Sequence, residues 1–233
     1  MRFFRRPQTR KHQKGNPMYT LHIGSKHISS WSLRPWLLMK VLRIPFAETV
    51  HHFIADKAEQ RRRWRAFSPN SQVPALDDGG RTVWDSLAIA EYLAERHPQV
   101  WPQDAAARAW ARCAAAEMHS GFPVLRTVCN FTLEPAAPPA ITPGLQRELE
   151  RLDALWNEGL ERFGGGFLAG ADFCAADAFY APVVLRLHHY GLAGHLGGAA
   201  AQYAERILAL PELRQWVSDG LEEISQTRAQ TAE

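Results

Sequence analysis

The segment Ser29–Trp36, with the sequence SSWSLRPW, constrains the fold most, because a predicted strand precedes it and a predicted helix follows it. Tyr19–Gly24 is short, alternates in polarity and contains β-branched and aromatic residues, which is typical of a strand. Apolar residues then recur at helical spacing. Proline has no N–H and suits the first turn of a helix, so Pro35 predicts a helix that begins close to Ser32 and runs to Arg43.

Ser29 and Ser30 fall on the predicted turn between this strand and this helix. A helix begins with amides that lack intrahelical partners and carries the positive end of its dipole there. Such a turn favours the binding of an anion. The alternative is that the two serines are simple helix caps, the commonest role of serine at this position.

Strands and helices alternate up to about Pro98, which predicts a small mixed sheet with helices packed on it. After the first strand and helix, the predicted elements are a strand over Phe46–Phe53, a helix over Lys57–Phe67, short strands over Val73–Leu76 and Thr82–Trp84 around the turn Asp77-Asp78-Gly79-Gly80, and a helix that begins at Asp85-Ser86.

Beyond Pro98 the strand signal almost disappears. Prolines punctuate a connector, and the predicted helices then run from about Asp104 into the 120s, along the apolar repeat from Leu145 to Leu160, and over about 174–189, 200–209 and 211–224. The fold class predicted is an α/β domain with a mixed four-stranded sheet over residues 18–98, a linker over 99–104, and an all-helical domain over 105–233.

The basic residues are unevenly distributed. Residues 1–17 carry six of the 27 basic residues and none of the 24 acidic ones, so without them the net charge of +3 becomes negative. The segment has no periodicity and is predicted to be a disordered tail, with the folded part beginning near Met18. A nucleic-acid or membrane arm and an organelle-targeting segment are the alternatives. For the folded part we expect neither a nucleic-acid nor a membrane partner.

Composition bears on the cellular compartment and on two other kinds of site, a membrane span and a metal site. The chain has 233 residues and no run of eighteen apolar ones, so no membrane span is predicted. Cys113, Cys129 and Cys174 form no CxxC pair, which is typical of the reducing cytoplasm. The pairs His51-His52 and His188-His189 have no third ligand at a useful spacing, so no metal site is expected.

Three motifs, in this order, resemble those of the glutathione transferases, and most of all the serine-type bacterial and zeta-like members. They are Ser29–Arg34, Ser68–Leu76 (SPNSQVPAL) and Asp85–Leu93 (DSLAIAEYL). The resemblance covers about residues 18–225. It implies a thioredoxin-like first domain that binds glutathione as co-substrate, and a helical second domain that supplies most of the pocket for an electrophile.

The resemblance also implies residue roles. The Ser29 hydroxyl, with Ser30 beside it, would face the glutathione sulfur. Val73 would precede a cis proline and pair through its backbone with the cysteinyl part of the peptide. The other glutathione contacts implied are Trp31, Gln72, Pro74, and the pair Asp85 and Ser86 for the γ-glutamyl group. Lys57 and the basic run Arg61–Arg65 are candidates for the glycine carboxylate, with a solvated charged face as the alternative for the run. The electrophile pocket would contain His119, Phe122 and Arg126.

The second domain departs from the family pattern at one position. The central helix of the second domain usually begins with Ser or Thr, followed three residues later by Asp, as a capping box. Here Cys174 and Asp177 occupy those positions. Sulfur is a weaker acceptor than a hydroxyl, so we expect a less stable start to this helix.

A serine without an adjacent base is a poor nucleophile, but its hydroxyl can donate a hydrogen bond to a thiolate. No G-x-S-x-G motif indicates a serine hydrolase. We therefore expect a homodimeric glutathione transferase that activates the glutathione thiol as thiolate for attack on small hydrophobic electrophiles. The dimer is expected from the resemblance and from the basic, aromatic segment Arg61–Phe67. The alternatives are a glutathione-dependent isomerase of the maleylacetoacetate type, a glutathione peroxidase, or a non-catalytic interaction protein with the transferase fold.

Overall fold

Four strands form one mixed sheet in the order β2-β1-β3-β4. The computed structural model describes residues 19–231, so the predicted tail over 1–17 lies outside the described residues. The central strand β1 (Tyr19–Gly24) pairs in parallel with β2 (Phe46–His51) and antiparallel with β3 (Ala75–Asp78). β3 forms a hairpin with β4 (Arg81–Trp84).

Helices surround this sheet and make up the rest of the fold. α1 (Ser30–Val41), α2 (Lys57–Trp64) and α3 (Ser86–Ala94) alternate with the strands. β4 is the last strand in the part of the chain that the structure describes, and the fold class expected from the sequence is confirmed. The helices that follow are α4 (Ala105–Ser120), α5 (Pro123–Val128), α6 (Pro143–Phe163), α7 (Ala175–His189), α8 (Gly198–Leu208) and α9 (Pro211–Thr231).

α1 begins at Ser30, two residues earlier than predicted, and ends at Val41 rather than Arg43. Pro35 is consequently its sixth residue and lies past the first turn. A proline there gives up only the bond to the carbonyl of Trp31, four residues earlier. Burial of the helix on all sides offsets this loss, so the local preference of proline does not set where the helix starts.

The hairpin turn is shorter than predicted. Gly79 and Gly80 alone reverse the chain, with φ of 60° and 93°, as the two-residue turns that match strand twist require. The predicted turn residue Asp78 is instead in the ladder opposite Arg81. Its carboxylate accepts hydrogen bonds from the Tyr92 hydroxyl and the Arg96 guanidinium, which hold it in the strand. β3 starts at Ala75 rather than Val73 because a proline has no N–H for the ladder.

Three element ends also differ from prediction. β2 ends at His51 rather than Phe53, because its partner β1 ends at Gly24. α2 ends at Trp64 rather than Phe67, since Phe67 N–H turns back to the Trp64 carbonyl. α9 continues past 224 to Thr231, where Arg228 pairs with the Glu134 carboxylate at 3.0 Å.

α7 is the centre of the helical part. Almost all of its residues are buried, and it packs against α1, α4 and α8. α1 is therefore enclosed between the sheet and α7, with its N-terminus at the junction of the two parts. Within residues 19–231, none of the helices is both long and apolar enough to cross a membrane.

The start of α7 has the capping box that the sequence predicts. Cys174 is the N-cap, and the carboxylate of Asp177 accepts hydrogen bonds from the N–H of Cys174 at 2.9 Å and of Leu168 at 3.0 Å. Asp177 is fully buried, and this burial raises its pKa to about 6. The side-chain acceptor on the N-cap itself is only a thiol.

We predict that Cys174→Ser increases the free energy of unfolding by about 0.5–1 kcal/mol, because a hydroxyl is a better acceptor for the first-turn amide. Cys174→Ala should decrease it. Urea unfolding at neutral pH measures both changes, and Cys113→Ser, at an exposed thiol, is the control that should leave stability unchanged. A serine variant no more stable than the alanine variant would contradict the capping argument.

Candidate functional site

A cavity of about 620 Å³ opens beside the N-terminus of α1. Its walls come from the turn after β1, from α2, from the loop before β3 and from the start of α3. These segments are far apart in sequence, and the sheet order brings them together. Eight of the residues predicted to bind glutathione line this cavity, namely Ser29, Trp31, Lys57, Gln72, Val73, Pro74, Asp85 and Ser86.

The two adjacent serines face different surroundings. Ser29 is 5% exposed and lines the cavity, and its hydroxyl makes no cap bond to α1. It lies instead 2.7 Å from the hydroxyl of Ser32. Ser30 does not line the cavity; its hydroxyl lies 3.5 Å from Arg186 Nη2 on α7. The structure therefore separates the two serines and argues against the simple capping role for Ser29.

The loop before β3 presents backbone to the cavity. The Val73–Pro74 peptide bond is cis. Within the described residues, neither the N–H nor the C=O of Val73 has a hydrogen-bond partner, which leaves both for an extended peptide. Asn70 Oδ1 fixes this loop by accepting from the Gln72 N–H at 3.0 Å and from the Ser68 hydroxyl at 2.8 Å.

The start of α3 forms a second polar wall. Asp85 has φ of 75°, an unusual backbone for a residue other than glycine. Its Oδ1 caps α3 by accepting from the N–H of Leu87 at 2.8 Å, while Oδ2 lies 3.5 Å from His119 Nε2. Ser86 is the first residue of the helix, and its N–H, which has no partner among the described residues, favours a carboxylate. One group that attracts an amine thus stands next to one that attracts an acid.

The opposite end of the cavity is basic. Lys57 is exposed and its Nζ donates to the carbonyl of Ile54 at 2.9 Å, while Arg61 lines the same wall. Sequence reasoning missed several other lining side chains. They are Ile28, Phe53, Gln60, Trp64, Asn70 and Ser71. Asn70 and Ser71 belong to a motif already singled out, and Trp64 lies within the basic run Arg61–Arg65. Exposed Ile28 carried no signal in the sequence.

Cationic side chains surround Trp31 on its other side. The guanidinium carbons of Arg34 and Arg126 lie 4.2 and 4.9 Å from the Trp31 ring centre, and His119 meets the ring edge-on at 5.1 Å. Two of the three predicted electrophile-pocket residues, His119 and Arg126, are therefore beside the cavity. Phe122 is not: it lines a separate cavity and packs on Tyr180, because the chain reverses at this residue with φ of 55°.

Burial makes this group of cations unusual. Arg34 is 3% exposed, and this burial, together with repulsion from Arg126 and Arg186, lowers its pKa to about 9. Burial, with Arg126 nearby, likewise lowers the pKa of Arg186 to about 10. Arg34 Nε and His119 Nδ1 are buried without a hydrogen-bond partner among the described residues. The electrostatics of this region favour an anion.

The sequence is similar to those of known proteins. The family model described as the N-terminal domain of glutathione S-transferase matches residues 28–96. Rat maleylacetoacetate isomerase is 30% identical over 187 residues, 76% of this chain and 81% of the rat protein. A zeta-class glutathione S-transferase of Euphorbia esula is 32% identical over 122 residues, 51% of this chain and 54% of the plant protein.

Solved structures agree with these relatives. A glutathione transferase homologue from Burkholderia, with bound glutathione, superimposes with a TM-score of 0.61 at 25% identity, covering 88% of this chain and 98% of that one. Glutathione transferase Omega 3C from Trametes versicolor shares the fold, with a TM-score of 0.66 at 19% identity, covering 87% of this chain and 90% of that one. The chain therefore belongs to the glutathione S-transferase family, as a zeta-like member with a thioredoxin-like N-terminal domain and a helical C-terminal domain.

Proposed function

We propose that this enzyme binds glutathione in the cavity at the N-terminus of α1 and ionises its thiol for attack on a small hydrophobic electrophile. One observation carries the proposal: a buried serine hydroxyl, an unpaired stretch of backbone at Val73 and the acid-serine pair at Asp85 line a single cavity. Glutathione is an extended tripeptide with a thiol at its centre, and these three features match its three kinds of group.

The ends of the peptide meet complementary charges. The α-carboxylate of the γ-glutamyl group suits the N–H and hydroxyl of Ser86 at the start of α3, and its α-amino group suits the carboxylate of Asp85. The glycine carboxylate suits the basic wall at Lys57 and Arg61. In this orientation the cysteinyl part runs along Val73, and its sulfur lies toward Ser29.

The Ser29 hydroxyl acts as a donor to the thiolate and does not attack the electrophile itself. A free thiol with a pKa near 8.5 is only a few per cent ionised at neutral pH. A hydrogen bond to a charged group contributes about 1.5–3 kcal/mol, and one pKa unit corresponds to about 1.4 kcal/mol. The hydroxyl and the dipole of α1, which has no acidic residue in its first turn, together lower the thiol pKa by about two units and make the thiolate the main species.

We predict that Ser29→Ala raises the pKa of the bound glutathione thiol by about one unit or more and lowers turnover near neutral pH about ten- to a hundredfold. Glutathione affinity should change little, because the carboxylate and backbone contacts remain. Titration of the thiolate absorbance against pH measures the pKa of the bound thiol, and binding to immobilised glutathione measures the affinity.

Ser30→Ala is the matched control for this experiment. It removes a hydroxyl of the same size one residue away, but one that faces Arg186 rather than the cavity. It should move the thiol pKa less than Ser29→Ala. A larger shift in the Ser30 variant would transfer the role to Ser30, and unchanged thiol pKa values in both variants would refute the mechanism.

The cations around Trp31 favour a second candidate function, a glutathione-dependent isomerase of the maleylacetoacetate type acting on a cis-alkene diacid. Arg126 and Arg186 repel Arg34 and each other. Arg126 and Arg186 donate to backbone carbonyls, and within the described residues none of the three arginines forms an ion pair with a carboxylate, although Asp85 is close enough to act on Arg34. A carboxylate of the electrophile would relieve this repulsion. The rat relative carries the corresponding name.

We predict that Arg126→Met lowers kcat/KM about tenfold for an acidic electrophile but changes it little for the neutral methyl ester of the same compound, because one charge-assisted contact is lost. Arg112→Met is the control, since Arg112 pairs with Glu91 at 3.0 Å elsewhere on the surface. Equal losses for the acid and its ester would argue against recognition of an anion.

We also propose a homodimer that forms through α2 and the residues after it. Arg61 and Arg65 are exposed there, and the half-buried ring of Phe67 stacks on His51 at 3.8 Å. Light scattering at micromolar concentration should give twice the mass of one 26.2 kDa chain. A mass equal to that of one chain would contradict the proposal.

The thiols support a cytoplasmic location for this enzyme. Cys113, Cys129 and Cys174 are all free, and Cys113 is exposed. Unpaired cysteines are the usual state in a reducing compartment. We propose the cytoplasm on this basis.

A further inference from the structure

We infer that Ser32 is a positioning residue that directs the hydrogen of the Ser29 hydroxyl into the cavity, toward the sulfur of bound glutathione. The inference rests on the function proposed for Ser29 and assigns the group that makes Ser29 available as a donor. Ser32 itself is absent from the cavity wall.

Ser32 lies between Ser29 and the end of the central strand. Its Oγ is 2.7 Å from Ser29 Oγ and accepts a hydrogen bond from the N–H of Gly24 at 3.1 Å. Ser32 is the third residue of α1 and is 0% exposed. The last residue of β1 and the first turn of α1 are thus joined through this single hydroxyl.

The number of hydrogens decides the direction of the bond between the two serines. Each hydroxyl has one hydrogen, and either oxygen can donate across the 2.7 Å distance. If Ser29 donates to Ser32, the hydrogen of Ser32 needs another acceptor, and within the described residues its hydroxyl bonds only to Gly24 N–H and to Ser29. Ser32 has no exposed surface, so that hydrogen would stay unpaired, which is unfavourable.

The opposite direction places the unpaired hydrogen on the cavity wall, where solvent or a ligand can accept it. Ser32 donates to Ser29. The hydrogen of Ser29 can then point into the cavity, which Ser29 lines. The donors then form a series from Gly24 N–H through Ser32 and Ser29 to the sulfur, and each bond in such a series polarises the next. The Ser29 oxygen is also held in place before glutathione arrives.

Gly24 fits this arrangement sterically. A Cβ at this position would lie 3.1 Å from Ser29 Oγ and 2.6 Å from Phe53 Cε2, a ring atom of another cavity residue. Glycine at this position therefore leaves both the Phe53 ring and the Ser29 hydroxyl where they are. The charged groups on this side, Arg34 and Arg186, are common to every serine variant, so they do not confound a comparison among variants.

The experiment compares Ser32→Ala, Ser29→Ala and the double variant by the pKa of the bound glutathione thiol. Ser32→Ala should raise this pKa by about half a unit to one unit, less than Ser29→Ala, with little change in glutathione affinity. The double variant should equal Ser29→Ala, because Ser32 acts only through Ser29. Ser32→Thr keeps the hydroxyl and should restore the wild-type value.

Two results would overturn the inference and leave the role of Ser29 standing. One is an unchanged thiol pKa in folded, glutathione-binding Ser32→Ala when Ser29→Ala raises it; the other is a double variant whose shift is the sum of the two single shifts. An unchanged thiol pKa in Ser29→Ala refutes the proposed function and this inference together. If Ser32→Ala does not fold, Ser32→Cys preserves the buried volume with a weaker donor, and it must also raise the thiol pKa.

Discussion

The burial of α1 on every side is the constraint on which the rest of the structure depends. Nine of its residues, from Ser30 to Met39, are buried, with the sheet on one side and α7 on the other. A helix that is enclosed in this way cannot rotate or slide without breaking a close-packed core. Its N-terminus is therefore held at the boundary of the two parts, and the serine turn is fixed at the edge of the cavity.

A second element holds the turn between β1 and α1 from the C-terminal end of the chain. Lys26, in that turn, is 4% exposed, and its Nζ pairs with Asp219 of α9 at 2.7 Å and with Glu48 of β2 at 2.8 Å. Burial acts to lower its pKa, but the ion pairs outweigh this and the pKa is raised. Trp216 Nε1 donates to the Lys26 carbonyl at 3.1 Å. The residues just before Ser29 are thus fixed by contacts with α9, nearly two hundred positions away.

Most elements of the fold were predictable because their signals are local. β1 spans Tyr19–Gly24 as its alternation predicts, and α2 begins at Lys57, directly after a capping aspartate. The errors lie where distant contacts override a local preference. Pro35 is tolerated past the first turn because α1 is enclosed, and α9 is longer than its apolar pattern because Arg228 pairs with Glu134. Neither the enclosure of α1 nor the Arg228–Glu134 pair can be recognised from the residues next to it in the sequence.

The sequence by itself determined the order of sheet and helices and the three motifs whose residues line the cavity, since these depend on spacing and turn chemistry along the chain. Only the tertiary structure decided that Ser29 lines the cavity while Ser30 faces Arg186, and that Phe122 lies apart from the cavity. Periodicity cannot tell which of two adjacent side chains on a turn faces the cavity, because their directions depend on where the helix begins and on what packs against it. The grouping of Arg34, Arg126 and Arg186 likewise required α1, α5 and α7 to be packed together, since each arginine alone has the pattern of an ordinary surface charge.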